Sequence, residues 1–180
     1  MNPMKWVIST LAGVLLVVVG VGFALPGTWQ ATSSRTLPLA AVDVYPYLAS
    51  VEGWSRWTPM PFVEGDVSGP FEGPGARLRW DDPQWGQGEW ALTEADPPRS
   101  MSYEVAVEQG SLRTWGRVEL ADAPQGTRIT WTERGDFGWN PLLSWMALGM
   151  ERMQGSEMQK SLDELERVLS NRALDPVEAP

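Results

Sequence analysis

The sequence contains no cysteine and no histidine. Without a thiol there is no disulfide, no thiolate metal site and no cysteine nucleophile, and the redox compartment stays open. Without imidazole the usual zinc ligand, the usual base at neutral pH and any Ser-His-Asp triad are removed together. Positive charge is scarce as well: 14 Lys and Arg stand against 23 Asp and Glu, for a net charge of −9. That balance provides no electrostatic footprint for nucleic acid or for the anionic surface of a membrane. Gly73-Pro-Gly75 and Gly86-Gln-Gly88 lack the strand, loop and helix context and the Lys of a phosphate loop, so nucleotide binding is not supported. Asp81-Asp82 precede a proline and read as turn residues rather than cation ligands. No metal and no cofactor are expected. What is plentiful is tryptophan, 11 residues against 4 Phe and 3 Tyr. Each indole brings a large apolar face and an N–H that needs a partner when buried.

The run from Trp6 to Leu25, WVISTLAGVLLVVVGVGFAL, carries no charge over 20 residues. As a helix it is about 30 Å long, which matches the hydrocarbon core of a bilayer. A cleavable signal peptide with Gly22 and Ala24 before the cut is the competing reading; the length of the run and Pro26 close behind favour an uncleaved anchor. Lys5 precedes the span and the nearest positive charge after it is Arg35. The positive-inside bias therefore places the C-terminal domain on the extracytoplasmic side of the cell membrane, as a single-pass protein. The expected organisation is a cytoplasmic N-terminus over 1–5, a transmembrane helix over 6–25, a domain over 26–172 and a disordered tail over 173–180.

Beyond the span, QATSSRTLPL from Gln30 reads as a first strand. A short helix follows, with Ala40, Val44, Tyr47 and Leu48 on one face and Pro46 limiting it. Trp54 and Trp57 are three apart and share one side of a single turn before Pro59. Gly65 to Gly75 reads as loop with at most a short strand. Alternation then predicts strands: Ala76, Leu78 and Trp80 inward, then Trp90 and Leu92, then Met101, Tyr103, Val105 and Val107. Leu112, Val118 and Leu120 follow on one parity with Trp115 on the other, outward, and then Ile129 and Trp131 inward. Short turns with no helical pattern from Ala76 to Glu133 predict an antiparallel sheet of neighbouring strands. The chain closes on a long helix from Asn140 to Asn171. Asn140 is its cap, Pro141 its first residue, and Met146, Met150, Met153, Met158, Leu162, Leu165 and Leu169 its apolar stripe. One sheet face and one helix stripe must cover each other, which gives an α+β domain with a curved antiparallel sheet around the long C-terminal helix.

WSRWTP at Trp54 to Pro59, GPGARLRW at Gly73 to Trp80, GQGEWALTEADP at Gly86 to Pro97, GTRITW at Gly126 to Trp131 and the final helix with Leu162 and Leu165 resemble the START-like, or SRPBCC, superfamily. The resemblance is to its polyketide cyclase/dehydrase-like branch with an N-terminal membrane helix. It implies a helix-grip fold enclosing an apolar cavity for a lipid, sterol, polyketide or similar molecule. Met60 stands where this branch often has another Trp, and Ser161 where a Gly often precedes the helix Leu, so ligand identity does not carry over.

The expected ligand-binding residues are the inward ones: Trp54, Trp57, Trp80, Trp90, Tyr103, Ile129, Trp131, Met146, Met150 and Met153. A Trp or Met stripe at regular spacing is also what plain core looks like. Candidates for acid–base chemistry are Glu133, on the parity of Trp131, Glu94, on the parity of Trp90 and Leu92, and Tyr103. A carboxylate against indoles has its pKa raised by desolvation, whereas one near a strand end is ordinarily solvated. The leading expectation is a membrane-anchored domain that binds a hydrophobic small molecule or lipid. Its alternatives are a cyclase or dehydratase-like lyase using a buried carboxylate, and an accessory domain docking a partner through Trp115 and Trp139.

Overall fold

A computed structural model describes residues 3–58, 65–83, 86–110 and 112–174. The elements in chain order are α1 (Pro3–Ala24), β1 (Thr28–Leu37), α2 (Ala41–Val44), a 3-10 turn (Tyr45–Tyr47) and α3 (Val51–Ser55). After them come β2 (Asp66–Ser68), β3 (Arg77–Asp82), β4 (Gly86–Asp96), β5 (Ser100–Val107), β6 (Leu112–Ala123), β7 (Gly126–Asp136) and α4 (Pro141–Leu174). Met60 and the tail beyond Leu174 lie outside the described residues.

The seven strands form one sheet in the order β1-β7-β6-β5-β4-β3-β2, antiparallel at every step. Strands β2 to β7 follow one another as neighbours, while β1 lies at the edge farthest from β2. The connection from β1 to β2 therefore crosses the whole width of the sheet, and it carries α2 and α3 over the concave face. Alternation in the sequence fixes which face that is. Trp29, Ala31 and Leu37 of β1 are buried, and so are Leu78 and Trp80 of β3, Met101 and Tyr103 of β5, and Ile129 and Trp131 of β7. The opposite parities carry Arg79 paired with Glu89, Arg113 with Glu104, and Arg117 with Glu119, all on the solvent side.

Helix α4 begins as the cap residue dictates, with the Asn140 Oδ1 accepting from the amides of Leu142 at 3.0 Å and Leu143 at 3.3 Å. Its 34 residues reach roughly 50 Å at 1.5 Å per residue. Ser144, Ala147, Met150, Met158, Ser161, Leu162, Leu165 and Leu169 are buried; at about 100° per residue these fall on one side of the helix. Each fully buried Leu on that side contributes about 1.5–3 kcal/mol. The helix is tied to β1 by Ser33, whose Oγ donates to the Gly155 carbonyl at 3.0 Å, and by Arg35, which binds Asp163 and Glu166.

Two of the expected inward side chains are not inward. Met146 and Met153 are 52% and 56% exposed, because their positions lie about 100° or more around the helix from the centre of the buried arc. The small Ser144 and Ala147 occupy that arc instead. Glu94 is displaced for a different reason. A register shift between Leu92 and Glu94 sets Glu94 opposite Ser102 and out of phase with Trp90 and Leu92, and its side chain is 72% exposed. A β-bulge adds one residue and turns those beyond it to the other face.

Helix α1 includes a 19-residue stretch, Trp6–Ala24, long and apolar enough to cross a membrane. Its last turns meet the start of α4: the Trp145 indole N–H donates to the Val18 carbonyl at 3.0 Å, and Phe23 meets Trp139 edge to face at 5.8 Å.

Candidate functional site

The concave interior is built around α3. Ser50 caps it by accepting from the Gly53 amide at 3.0 Å, and the chain turns so that Trp54 and Trp57 point together toward the sheet. Each indole is fixed by a carbonyl of the preceding turn: Trp54 Nε1 donates to Leu48 O at 2.7 Å and Trp57 Nε1 to Tyr47 O at 3.0 Å. Trp54 is the hub. Its ring centroid lies 4.6 Å from Trp57, 5.8 Å from Trp90, 4.9 Å from Tyr103 and 5.4 Å from Trp131. These are the tilted and edge-to-face arrangements that ring quadrupoles prefer.

Under the rings lies a polar relay of four residues from β5, β7 and α4. Trp131 Nε1 donates to the Tyr103 hydroxyl at 2.8 Å, Tyr103 Oη donates to Glu133 Oε1, and Gln154 Nε2 from α4 donates to Glu133 Oε2 at 2.6 Å. The cross-strand register explains how the phenol gets there. Tyr103 stands opposite Gly116, and Gly116 stands opposite Glu133. A Cβ at Gly116 would sit within the Tyr103 ring, so only glycine lets the ring lie flat across β6 and reach the next strand. Trp29 over Gly135 and Trp80 over Gly88 repeat this pairing of a ring with the glycine opposite it.

Glu133 is 5% exposed and Tyr103 1%. Among the described residues no Lys or Arg pairs with Glu133, whose pKa is raised from the ordinary 4.5 by burial, with the bonds from Tyr103 and Gln154 pulling the other way. The Tyr103 hydroxyl is held well above its usual range by burial and then by the neighbouring carboxylate. A buried carboxylate without a cation is costly, and two hydrogen bonds offset only part of the cost. Chemically the group can hydrogen-bond a carbonyl or hydroxyl, or pass a proton between phenol and carboxylate.

Of the expected site residues, Trp54, Trp57, Trp90, Tyr103 and Trp131 come together in this cluster, and Trp80, Ile129 and Met150 are buried in the same core. Met146 and Met153 lie outside it, as does Glu94. The rings fill much of the space under α3 with one another rather than lining an open hollow. A groove of about 290 Å³ runs between α3 and α4, with Trp57, Thr58 and Ser161 among its walls and Arg56, Glu157, Lys160 and Glu164 around it. Trp115 stands on the convex face, half-buried, with the Arg134 guanidinium 5.6 Å above its ring; Trp139 is 87% exposed. Gln154 and Gly116 were not foreseen. Gln154 carried one signal, its place four residues after Met150 and four before Met158 on the inner arc; Gly116 carried none without the register.

A curved antiparallel sheet gripping a long C-terminal helix, with an aromatic interior, defines the class as a helix-grip domain. The model of the family described as polyketide cyclase/dehydrase and lipid transport matches residues 28–170, and the chain belongs to that family. Solved structures agree on the fold. A protein of Rhizobium leguminosarum is 18% identical with a TM-score of 0.56, covering 80% of this chain and 95% of its own. The Aha1 dimer protein of Colwellia psychrerythraea is 16% identical at 0.53, covering 78% and 95%. The di-domain ARO/CYC protein StfQ from the steffimycin biosynthetic pathway is 12% identical at 0.61, covering 81% of this chain and 52% of its own. A comparison with curated proteins returns no match.

Proposed function

We propose that this chain is a membrane-anchored helix-grip domain that takes a hydrophobic small molecule or lipid between its sheet and α4. The observation that carries the reading is the Tyr103–Glu133–Gln154 relay set within a wall of indoles. A core meant only for stability gains little from an unpaired buried carboxylate, whereas a site for an apolar guest with one polar group needs few, well-placed hydrogen bonds inside an apolar wall. Apolar ligand surface gains about 25 cal/mol per Å² on leaving water, so a tail or ring system would be held by burial and oriented by the relay. Entry runs along the groove between α3 and α4. In this reading α1 spans the bilayer, the domain lies on the extracytoplasmic side, and the tether keeps it beside its source of ligand.

The test is native mass spectrometry of the full chain released from mild detergent. The expected result is one apolar adduct whose occupancy falls in Tyr103→Phe and Glu133→Gln. An adduct-free wild type, or occupancy indifferent to both substitutions, overturns the reading.

A second reading rests on the same phenol–carboxylate pair, which is suited to acid–base chemistry such as cyclisation or dehydration of a polyketide-like substrate. The likeness to StfQ supports it at the level of fold. It requires that Glu133→Gln abolish turnover on an identified substrate while circular dichroism stays unchanged.

A further inference from the structure

The outward face of α4 changes character halfway along. Leu142, Trp145, Met146, Gly149 and Met153 fall within an arc of roughly 100° opposite the buried arc. Leu142, Trp145, Met146 and Met153 are 58%, 41%, 52% and 56% exposed, and Leu148 on the flank of the arc is 59% exposed. Continuing along the same arc the residues are Ser156, Glu157, Lys160, Glu164 and Arg167, with Glu157 bound to Lys160 and Glu164 to Arg167. Water suits the second half. It does not suit the first, where charged Arg152 stands only at the edge of the arc and Glu151 lies on the other side of the helix, both exposed, and where an apolar face of this size needs a cover.

The cover is indicated by what lies next to it. Trp145 donates to the Val18 carbonyl, and Pro141 backs directly onto Gly22. The apolar arc of α4 is therefore continuous with the exposed apolar surface of α1, which includes Val14, Leu15, Val21 and Phe23. Val18 lies six residues before Ala24, roughly 9 Å below the end of α1 at 1.5 Å per residue. Helices that lie in a membrane interface sink about 5–10 Å into the boundary between headgroups and acyl chains. Trp145 stands at the level of Val18, and Trp139, against Phe23, at the end of α1; both depths fall in the zone where indoles collect.

We infer that the apolar arc of the first turns of α4, from Leu142 to Met153, lies in the lipid bilayer beside α1, with Glu151 and Arg152 reaching headgroups and water, so that the domain sits on the membrane in a fixed orientation rather than swinging on its tether. This rests on α1 spanning the membrane. Glu157 and Lys160 mark where α4 leaves the lipid, and the groove beside Trp57 then opens near the bilayer surface.

The absence of cysteine makes the test direct. Full-length variants Met146→Cys, Met153→Cys, Leu15→Cys and Lys160→Cys, all at exposed positions, are nitroxide-labelled, checked for native circular dichroism and reconstituted in vesicles of phosphatidylcholine and phosphatidylglycerol. Relaxation by oxygen, which concentrates in hydrocarbon, is compared with relaxation by a water-soluble nickel chelate. The expected result is that labels at 146, 153 and 15 respond to oxygen and are several-fold protected from nickel relative to the label at 160. A lipid-exposed label at 15 with 146 and 153 as open to nickel as 160 overturns the inference and leaves the span standing. A label at 15 open to nickel removes the span and the inference with it. Labels at 146 and 153 shielded from both reagents mean a protein contact there, which also overturns it.

Discussion

The two faces of the sheet are made from the same strands and from overlapping residue types, yet a glutamate on one face and a glutamate on the other have opposite fates. Glu133 stands on the concave face under Trp54 and Trp131, bonded to Tyr103 and Gln154. Glu94 stands on the convex face, 3.8 Å from Arg117 and open to water. The difference is one of surroundings, and it teaches that a carboxylate becomes chemically special here only where the sheet curls over it and no cation follows. The convex face is a ladder of Arg and Glu in solvent, where each pair contributes about 0–1 kcal/mol. The concave face concentrates the burial energy and, among the described residues, holds the buried carboxylate.

The strongest test of that contrast is Trp54→Ala. Trp54 is fully buried and touches four other rings, so its truncation is expected to destabilise the domain by about 3–5 kcal/mol, read as a shift of the urea midpoint of the full chain in detergent. A change on the convex face such as Arg79→Ala is expected to stay below about 1 kcal/mol in the same assay. Next in size is Gly116→Ala. The added Cβ meets the Tyr103 ring, and overpacking of this kind costs roughly 1–3 kcal/mol; near-ultraviolet circular dichroism should show the tyrosine environment altered. An unchanged spectrum would mean that the ring does not lie across β6.

The third expectation concerns pH. Because the folded state raises the Glu133 pKa above 4.5, the folded protein keeps a proton that the unfolded chain has already released. This contribution to stability is complete below the ordinary carboxylate range and is lost as pH rises through the raised folded value. Thermal melts of the wild type should therefore lose stability across that window, and Glu133→Gln should flatten the loss. A profile that is the same in both proteins would place Glu133 in water. The smallest effect is expected for Glu94→Gln: within about 0.5 kcal/mol, with the pH profile of the wild type retained.

Much of the fold was legible in the residues. Strict alternation in β3, β5 and β7 identified Leu78, Trp80, Met101, Tyr103, Ile129 and Trp131 as inward, because a period of two leaves no choice once one face is buried. The Asn140-Pro141 pair marked the start of α4 for an equally local reason. The site was legible only in part. Met146 and Met153 look like core by apolarity, and Ser144 and Gln154 do not; which arc of α4 turns inward was decided by how the helix lies against β1. Glu94 had the right parity and lost it to a bulge that no residue in Leu92-Thr93-Glu94 announces.

What the sequence by itself determined was the set of elements, their apolar faces and the absence of thiol and imidazole chemistry, since these depend on side-chain type and short-range spacing alone. What only the tertiary structure decided was the relay. Tyr103, Gly116, Glu133 and Gln154 are far apart along the chain, and they meet because strand register places a glycine between a phenol and a carboxylate while α4 closes over both. Register and helix placement are properties of the whole packed sheet, and no local pattern encodes them.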